Sequence, residues 1–257
     1  MARPVSQFLK ASGKMWEIWQ VIVNVVLDLG GSDEDLARLL KDKDRVRRIG
    51  EIIVERAKTE EQLEYFVPIP DALVPEPYWQ TLAKYRQLAT EHGVPATTAV
   101  CYRVRAGFIF KSHASMAGPC YENFQYLQGW SFSDEPTDDC LVFWVPRIIN
   151  GSTGKTKDEQ VQFLADLRAK LDLPVHHMSG FGKVGLVAGL VLAHFKATQE
   201  RIPLDGLWVR TDTCHAGGAR LGLGGFGDAG LGCSCWSGDD DASDNLGVFA
   251  LGVELGS

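Results

Sequence analysis

Over roughly the first 65 residues, apolar side chains recur at three- and four-residue steps: Phe8, Met15, Trp19, Ile22 and Val26 share one helical face. Gly30-Gly31 stops that helix, and Ser32, ahead of Asp33-Glu34, caps the next. The apolar positions of this second, charged segment are Leu36, Leu39, Leu40, Val46, Ile49, Ile52 and Ile53. Pro68, Pro70, Pro75 and Pro77 predict an irregular crossing, after which Tyr78 to Glu91 reads as a helix.

From about residue 96 the period changes. Ala99 to Arg105 and Gly107 to Lys111 are β-branched and aromatic, with Ala106-Gly107 between them, and are expected to pair as strands. Cys140 to Ile149 is an apolar run suited to a buried strand. Thr156 with Glu159 three residues on is a capping box, and Val161, Leu164, Leu167 and Leu171 give the helix it opens one stripe. Pro174 ends that segment. Ser179 and nearby glycines open another helix, with Leu186, Val187, Leu190, Val191, His194 and Phe195 inward. Strands are expected again over Leu207 to Thr211, Arg220 to Phe226, Leu231 to Trp236 and Leu246 to Glu254. Strands grouped at the end, after two helices, predict an α+β fold with a largely antiparallel sheet.

Composition narrows the function. With 257 residues, 45% hydrophobic and 23% charged, the chain is an ordinary folded protein of one large or two small domains. A net charge of −7 and the lack of a basic stripe argue against nucleic-acid binding. Met15 to Leu29 is the most apolar stretch, but Glu17, Gln20, Asn24 and Asp28 disqualify it as a membrane span. No apolar signal core follows Met1-Ala2-Arg3-Pro4, so a cytoplasmic location is expected, with export by another route left open. The six cysteines (101, 120, 140, 214, 233 and 235) show no disulfide framework and read as reduced thiols.

Residues 214 to 245 stand apart. Of these 32 positions, 26 are Gly, Asp, Ala, Ser, Cys, Asn or His, and none is Lys, Glu, Gln or Met. That joint absence arises by chance on the order of once in a thousand windows. Leu221, Leu223, Phe226, Leu231 and Trp236 persist as an apolar skeleton with partly strand-like spacing. Glycine weakens strand interiors, so a fixed scaffold with loosely specified inserts explains the filling better than selection for stability; a flexible glycine-rich loop is the plain alternative.

The run Leu207-Trp208-Val209-Arg210-Thr211-Asp212-Thr213, this window, and the closing Leu246-Gly247-Val248-Phe249-Ala250-Leu251-Gly252-Val253-Glu254 together resemble the variable proteins of diversity-generating retroelements. The resemblance covers about residues 96 to 257. It implies a C-type lectin fold of the formylglycine-generating-enzyme type, whose short strands carry variable positions closed by an invariant last strand. In that family, adenine-directed mutagenesis acts mainly on asparagine codons, which never become Lys, Glu, Gln or Met; the window obeys that rule. Family members often keep Tyr and Trp at variable positions, and this window has no Tyr.

The resemblance implies a C-type lectin-like ligand-display domain over residues 96–257, with a variable region at about 208–250, preceded by a helical N-terminal region, 1–95. It implies a non-enzymatic binder of an unknown protein or surface ligand, needing neither cofactor nor metal. The expected ligand-binding positions are His215, Gly217, Gly225, Asp228, Ser234, Ser237, Asp239, Asp240, Asp241, Asp244 and Asn245. The alternative is an enzyme of the formylglycine-generating type or another cysteine-dependent enzyme, pairing Cys101, Cys120 or Cys140 with His113, His176, His177 or His194, though no local motif links them.

Other signals are weaker. Asn150 to Thr156 suggests a phosphate loop, but Ile149 stands where the first glycine belongs, and a tight turn into a capped helix accounts for it. Cys214, His215, Cys233 and Cys235 are soft metal ligands, yet a single residue separates the last two. Asp239 to Asp241 with Asp244 and Asn245 offer oxygens for calcium without the spacing of a known loop. His194 is expected to be a hydrogen-bonded core residue, and His176-His177 a structural helix junction.

Overall fold

The structure, a computed structural model, describes Ser32, residues 64–236 and residues 238–255. The two helices expected before residue 64 lie outside the described residues, apart from the exposed Ser32. Glu64–Ser257 forms one compact unit.

Its first sheet is built from β1 (Phe66–Pro68), β2 (Cys101–Val104), β3 (Cys140–Trp144) and β8 (Leu251–Leu255), all antiparallel in that order. Phe66 pairs with Val104, so residues 64–95 belong to the sheet-bearing unit and the expected boundary at 96 falls inside it. The proline-rich stretch holds two three-residue 3-10 turns, Asp71–Leu73 and Glu76–Tyr78, which deliver the chain to α1 (Trp79–Glu91). Both faces of this sheet are covered. Cys101 and Phe143 meet Tyr85 and Leu88 of α1 on one side, while Tyr102, Val142 and Trp144 enter a larger core on the other. Double burial is why Cys140 to Ile149 reads as a continuous apolar run.

The second sheet has the order β6-β5-β4-β7, from β4 (Trp208–Cys214), β5 (Arg220–Gly227), β6 (Gly230–Trp236) and β7 (Leu246–Gly247). β4–β5 and β5–β6 are antiparallel hairpins, and β7 joins β4 in parallel. The strand expected over Leu246 to Glu254 is therefore split: β7 belongs to the second sheet, β8 to the first, and buried Val248, Phe249 and Ala250 cross between them. The mixed α+β, mainly antiparallel character matches the order of elements in the chain.

Three helices complete the unit. α2 (Phe110–Ala117) occupies a place where a second strand was expected over Gly107 to Lys111. The alternation of buried Phe108 and Phe110 imitates a strand, but the backbone N–H groups of Phe110 and Lys111 donate to the Asp134 carboxylate at 3.1 and 2.8 Å. That cap arrives from more than 20 residues away and starts a helix instead. α3 (Lys157–Lys170) has the expected capping box: Thr156 Oγ1 accepts from the Glu159 N–H and Glu159 accepts from the Thr156 N–H. Its buried stripe differs from expectation, because Gln160 and Leu164 face inward while Val161 is exposed. α4 (Val184–Thr198) begins five residues after Ser179 and is the central helix, with Val187, Leu190 and Val191 fully buried. Among the described residues, no helix is long and apolar enough to cross a membrane.

Two measurements test this packing. Phe249 is buried where the chain passes between sheets, its ring edge-on to Trp144 at 5.4 Å. Phe249→Ala is expected to lower the unfolding free energy by about 3–5 kcal/mol, read as a shift in the urea midpoint; a change below 1 kcal/mol, at about that precision, removes the assignment. All six cysteines are free thiols, and only Cys214 and Cys235 are exposed. A disulfide-exchange reagent at pH about 8 should titrate two thiols rapidly and the other four only on unfolding.

Candidate functional site

The window that stands out in composition folds into the β4–β5–β6 meander and the loop that returns to β7. Its apolar skeleton points to one side: Leu221, Leu223, Leu231 and Cys233 are buried, with Val209 and Thr211 beside them, in the core that also holds α4. The side chain of Trp236 is outside what the structure describes. The other side of the meander presents two cross-strand rows, Trp208–Gly224–Gly232 and Arg210–Gly222–Ser234. Trp208 lies across the glycines of the first row. A Cβ on Gly224 would sit 2.8 Å from the indole and 2.2 Å from the Leu207 carbonyl, so only glycine admits this close approach.

Arg210 anchors the second row. Although charged, it is 1% exposed. Its Nε donates to Gln160 Oε1 of α3 at 2.7 Å and its Nη2 to the Asp241 carbonyl at 2.8 Å. Gln160 Nε2 in turn donates to the carbonyls of Ser152 (2.8 Å) and Leu246 (2.9 Å). Burial pushes the Arg210 pKa down, while Asp239 and Asp241 oppose that shift. A second anchor begins the return loop: Asp239 accepts from Arg220 of β5 at 2.6 Å and from Lys157 of α3 at 3.0 Å. Those cations, Arg220 foremost, hold its carboxyl below the usual aspartate range. Main-chain bonds fasten the rest of the loop, from Lys157 N–H to the Asp239 carbonyl, Gly154 N–H to Ser243, and Trp208 N–H to Asn245.

The predicted positions fall into groups. His215 and Gly217 form the β4–β5 turn; His215 is half-buried edge-on to Trp130 at 5.4 Å, and Gly217 has φ +98°. Ser234, half-buried, lies toward the same end of the meander, because Arg220 at the start of β5 pairs with Trp236. Asp240 and Asp244 are exposed on the anchored loop, while half-buried Asp241 and Asn245 use side-chain oxygens to bond the main chain and hydroxyl of Ser243. Gly225 (φ +58°) and Asp228 lie apart at the β5–β6 end, where Asp228 faces Arg201 at 3.3 Å. Asp239 differs from the others in being committed to two ion pairs. Ser237 lies outside the described residues. Arg210 and Gln160, which organise the surface, were not among the predicted positions; an arginine directly after the apolar run Leu207 to Val209, within the expected strand, was the available signal.

Within the described residues, the cysteines and the other candidate motifs do not assemble into a site. Burial pushes the Cys101 and Cys120 thiols up to about 12 and Cys140 to about 11, away from the thiolate that a nucleophile needs. Among the described residues, no hydrogen bond joins one of them to a histidine. Residues 150–156 form a turn in which the Ser152 hydroxyl accepts from the Val248 N–H, and the chain runs directly into the capped helix. Cys233 is buried while Cys214 and Cys235 are exposed, and these thiols with His215 form no metal-ligand grouping. His194 is buried, but its Nδ1 finds no hydrogen-bond partner among the described residues, contrary to the hydrogen-bonded role expected for it. A comparison with family models, curated proteins and solved structures found no match.

The Asp239 anchor has a pH signature. Its folded-state pKa is depressed, so its contribution to stability is present above the unfolded value of about 4 and is lost as pH falls through the folded one. Asp239→Asn should lower the melting temperature at pH 7, and the deficit should shrink toward the parent in acid, as pH falls through the depressed folded value. An equal deficit at pH 7 and in acid overturns the assignment. Because the carboxylate is 43% exposed, the effect will be modest.

Proposed function

We propose that the protein is a non-enzymatic ligand-display protein of the diversity-generating-retroelement type, its second sheet and return loop forming the variable surface of a C-type lectin-like domain. One observation carries this reading: a window lacking Lys, Glu, Gln and Met coincides with a meander whose inner face packs on the core and whose return loop is held by Arg210, Asp239 and main-chain bonds, leaving the side chains of Asp240, Asp244 and Ser234 out of that support. A display surface needs that separation. Substitutions at positions that make no special contact change stability by within about 0.5 kcal/mol, whereas a few such positions can carry most of the energy of ligand recognition.

Exposed Asp240, Asp244 and Asp228, with half-buried His215 and Ser234, are the positions best suited to vary. Asp239 belongs to the scaffold. The surface as it stands is acidic and small in its side chains, lacking the Tyr residues that supply rigid contact area at low entropic cost. Good binders from this scaffold should therefore be enriched in Tyr.

The decisive test randomises His215, Asp228, Ser234, Asp240 and Asp244 in a displayed library and selects against several unrelated proteins. Folded, Tyr-enriched binders are expected, with melting temperatures within a few degrees of the parent, as increments of about 0.5 kcal/mol per position imply. Library members that fail to fold, or a folded library yielding no binder, overturn the reading. At the genomic level, a near-identical copy of the coding region for residues 208–250, differing only at adenines and lying beside a reverse transcriptase gene, is expected.

A further inference from the structure

Away from the variable surface, three potential metal ligands converge where the loop between α3 and α4 meets the last strand. His176 Nε2 lies 3.2 Å from Glu254 Oε2, and His177 Nε2 lies 2.8 Å from Glu254 Oε1. All three ligand atoms fall within 4.8 Å of one another. We propose that His176, His177 and Glu254 form a binding site for a divalent transition metal, zinc being the natural occupant of two imidazoles and a carboxylate.

The geometry is close to what that chemistry requires. A tetrahedral zinc with bonds of about 2.0–2.2 Å keeps its ligands about 3.3–3.6 Å apart. The two imidazole nitrogens meet different oxygens of the one carboxylate, at 3.2 and 2.8 Å, so modest side-chain rotations bring all three groups to those separations. His177 also has the outer partner that metal-bound histidines usually have: its Nδ1 lies 3.3 Å from the Tyr85 hydroxyl, deep in the core. With Nε2 on the metal, the ring proton resides on Nδ1 and donates to the Tyr85 oxygen, so loading requires a change of tautomer and no net loss of a proton from His177. The exposure of the three groups is graded. The His177 side chain is completely buried, Glu254 is 17% exposed and His176 is 50% exposed, which leaves a path for the ion and an open fourth position for water.

The surroundings hold the ligands in place. The Met178 N–H donates to the Leu251 carbonyl at 2.7 Å, tying the histidine loop to β8, and Arg168 donates to the carbonyls of Val175 and His177. Gly252, one turn of the pleat before Glu254, has no room for a Cβ, which would lie 2.1 Å from His177 Nδ1. The imidazole thus sits directly on the strand that carries the carboxylate. This is the one grouping of three or more His, Cys, Asp or Glu ligands of that compactness among the described residues.

The test is zinc titration of the metal-free full chain by calorimetry, in the parent and in a Cys214→Ser/Cys235→Ser variant that removes the exposed thiols. One equivalent of zinc per chain is expected in both, with a melting temperature that rises with zinc concentration. His176→Ala, at a half-exposed position, and Glu254→Gln should each weaken binding about tenfold or more, a loss at least as large as outer partners of metal sites produce. Cobalt bound in place of zinc should show the visible absorption of a four- or five-coordinate nitrogen–oxygen site without a thiolate band. Failure to take up zinc, binding untouched by His176→Ala, or binding lost in the cysteine variant would each overturn the proposal.

Discussion

The arrangement of the second sheet depends on one buried cation. A guanidinium removed from water must recover its hydrogen bonds inside the protein, at a cost of several kcal/mol if it does not. Arg210 recovers them from two directions: the side chain of Gln160 on α3, and the carbonyl of Asp241 on the return loop. Because Gln160 also spans the carbonyls of Ser152 and Leu246, one polar cluster fixes four segments at once: β4, β7, the turn into α3, and the loop. An apolar residue at either position would leave buried donors or acceptors of the cluster unpaired, which is the expensive outcome.

That cluster explains how a glycine- and aspartate-rich segment holds a defined shape. The loop from Gly238 to Asn245 gains its position largely through main-chain carbonyls and N–H groups, one of them bonded by Arg210, with Asp239 as its ion-paired fastening to Arg220 and Lys157. Side chains at Asp240 and Asp244 are left out of the fastening. Beneath, Leu221, Leu223 and Leu231 pack toward α4, so the strand interiors that glycine would weaken are supported from the inner face.

The end of the chain links the two sheets. β7 ends at Gly247, Val248 to Ala250 pass through the core, and β8 begins at Leu251 as an outer strand of the first sheet. Glu254 is thus carried on a strand of the first sheet, where it meets His176 and His177. In the sequence, Leu246 to Glu254 looks like a single strand because both of its halves and the crossing between them are apolar. Strand periodicity records burial, and burial does not distinguish one sheet from two.

What the sequence determined by itself is local or repetitive. The capping box of α3 involves neighbours three residues apart, the meander strands show their alternation, and the compositional bias of residues 214 to 245 is visible without coordinates. Tertiary structure alone decided the rest. α2 replaced a strand because Asp134 reaches back to its first turn, β1 joined the sheet through a partner nearly 40 residues on, and Gln160 turned inward to meet an arginine 50 residues away. Each of these outcomes rests on a polar group satisfied by a distant partner. Pattern along the chain reports which face is apolar, but the partner that a buried donor or acceptor finds depends on how the chain has already folded.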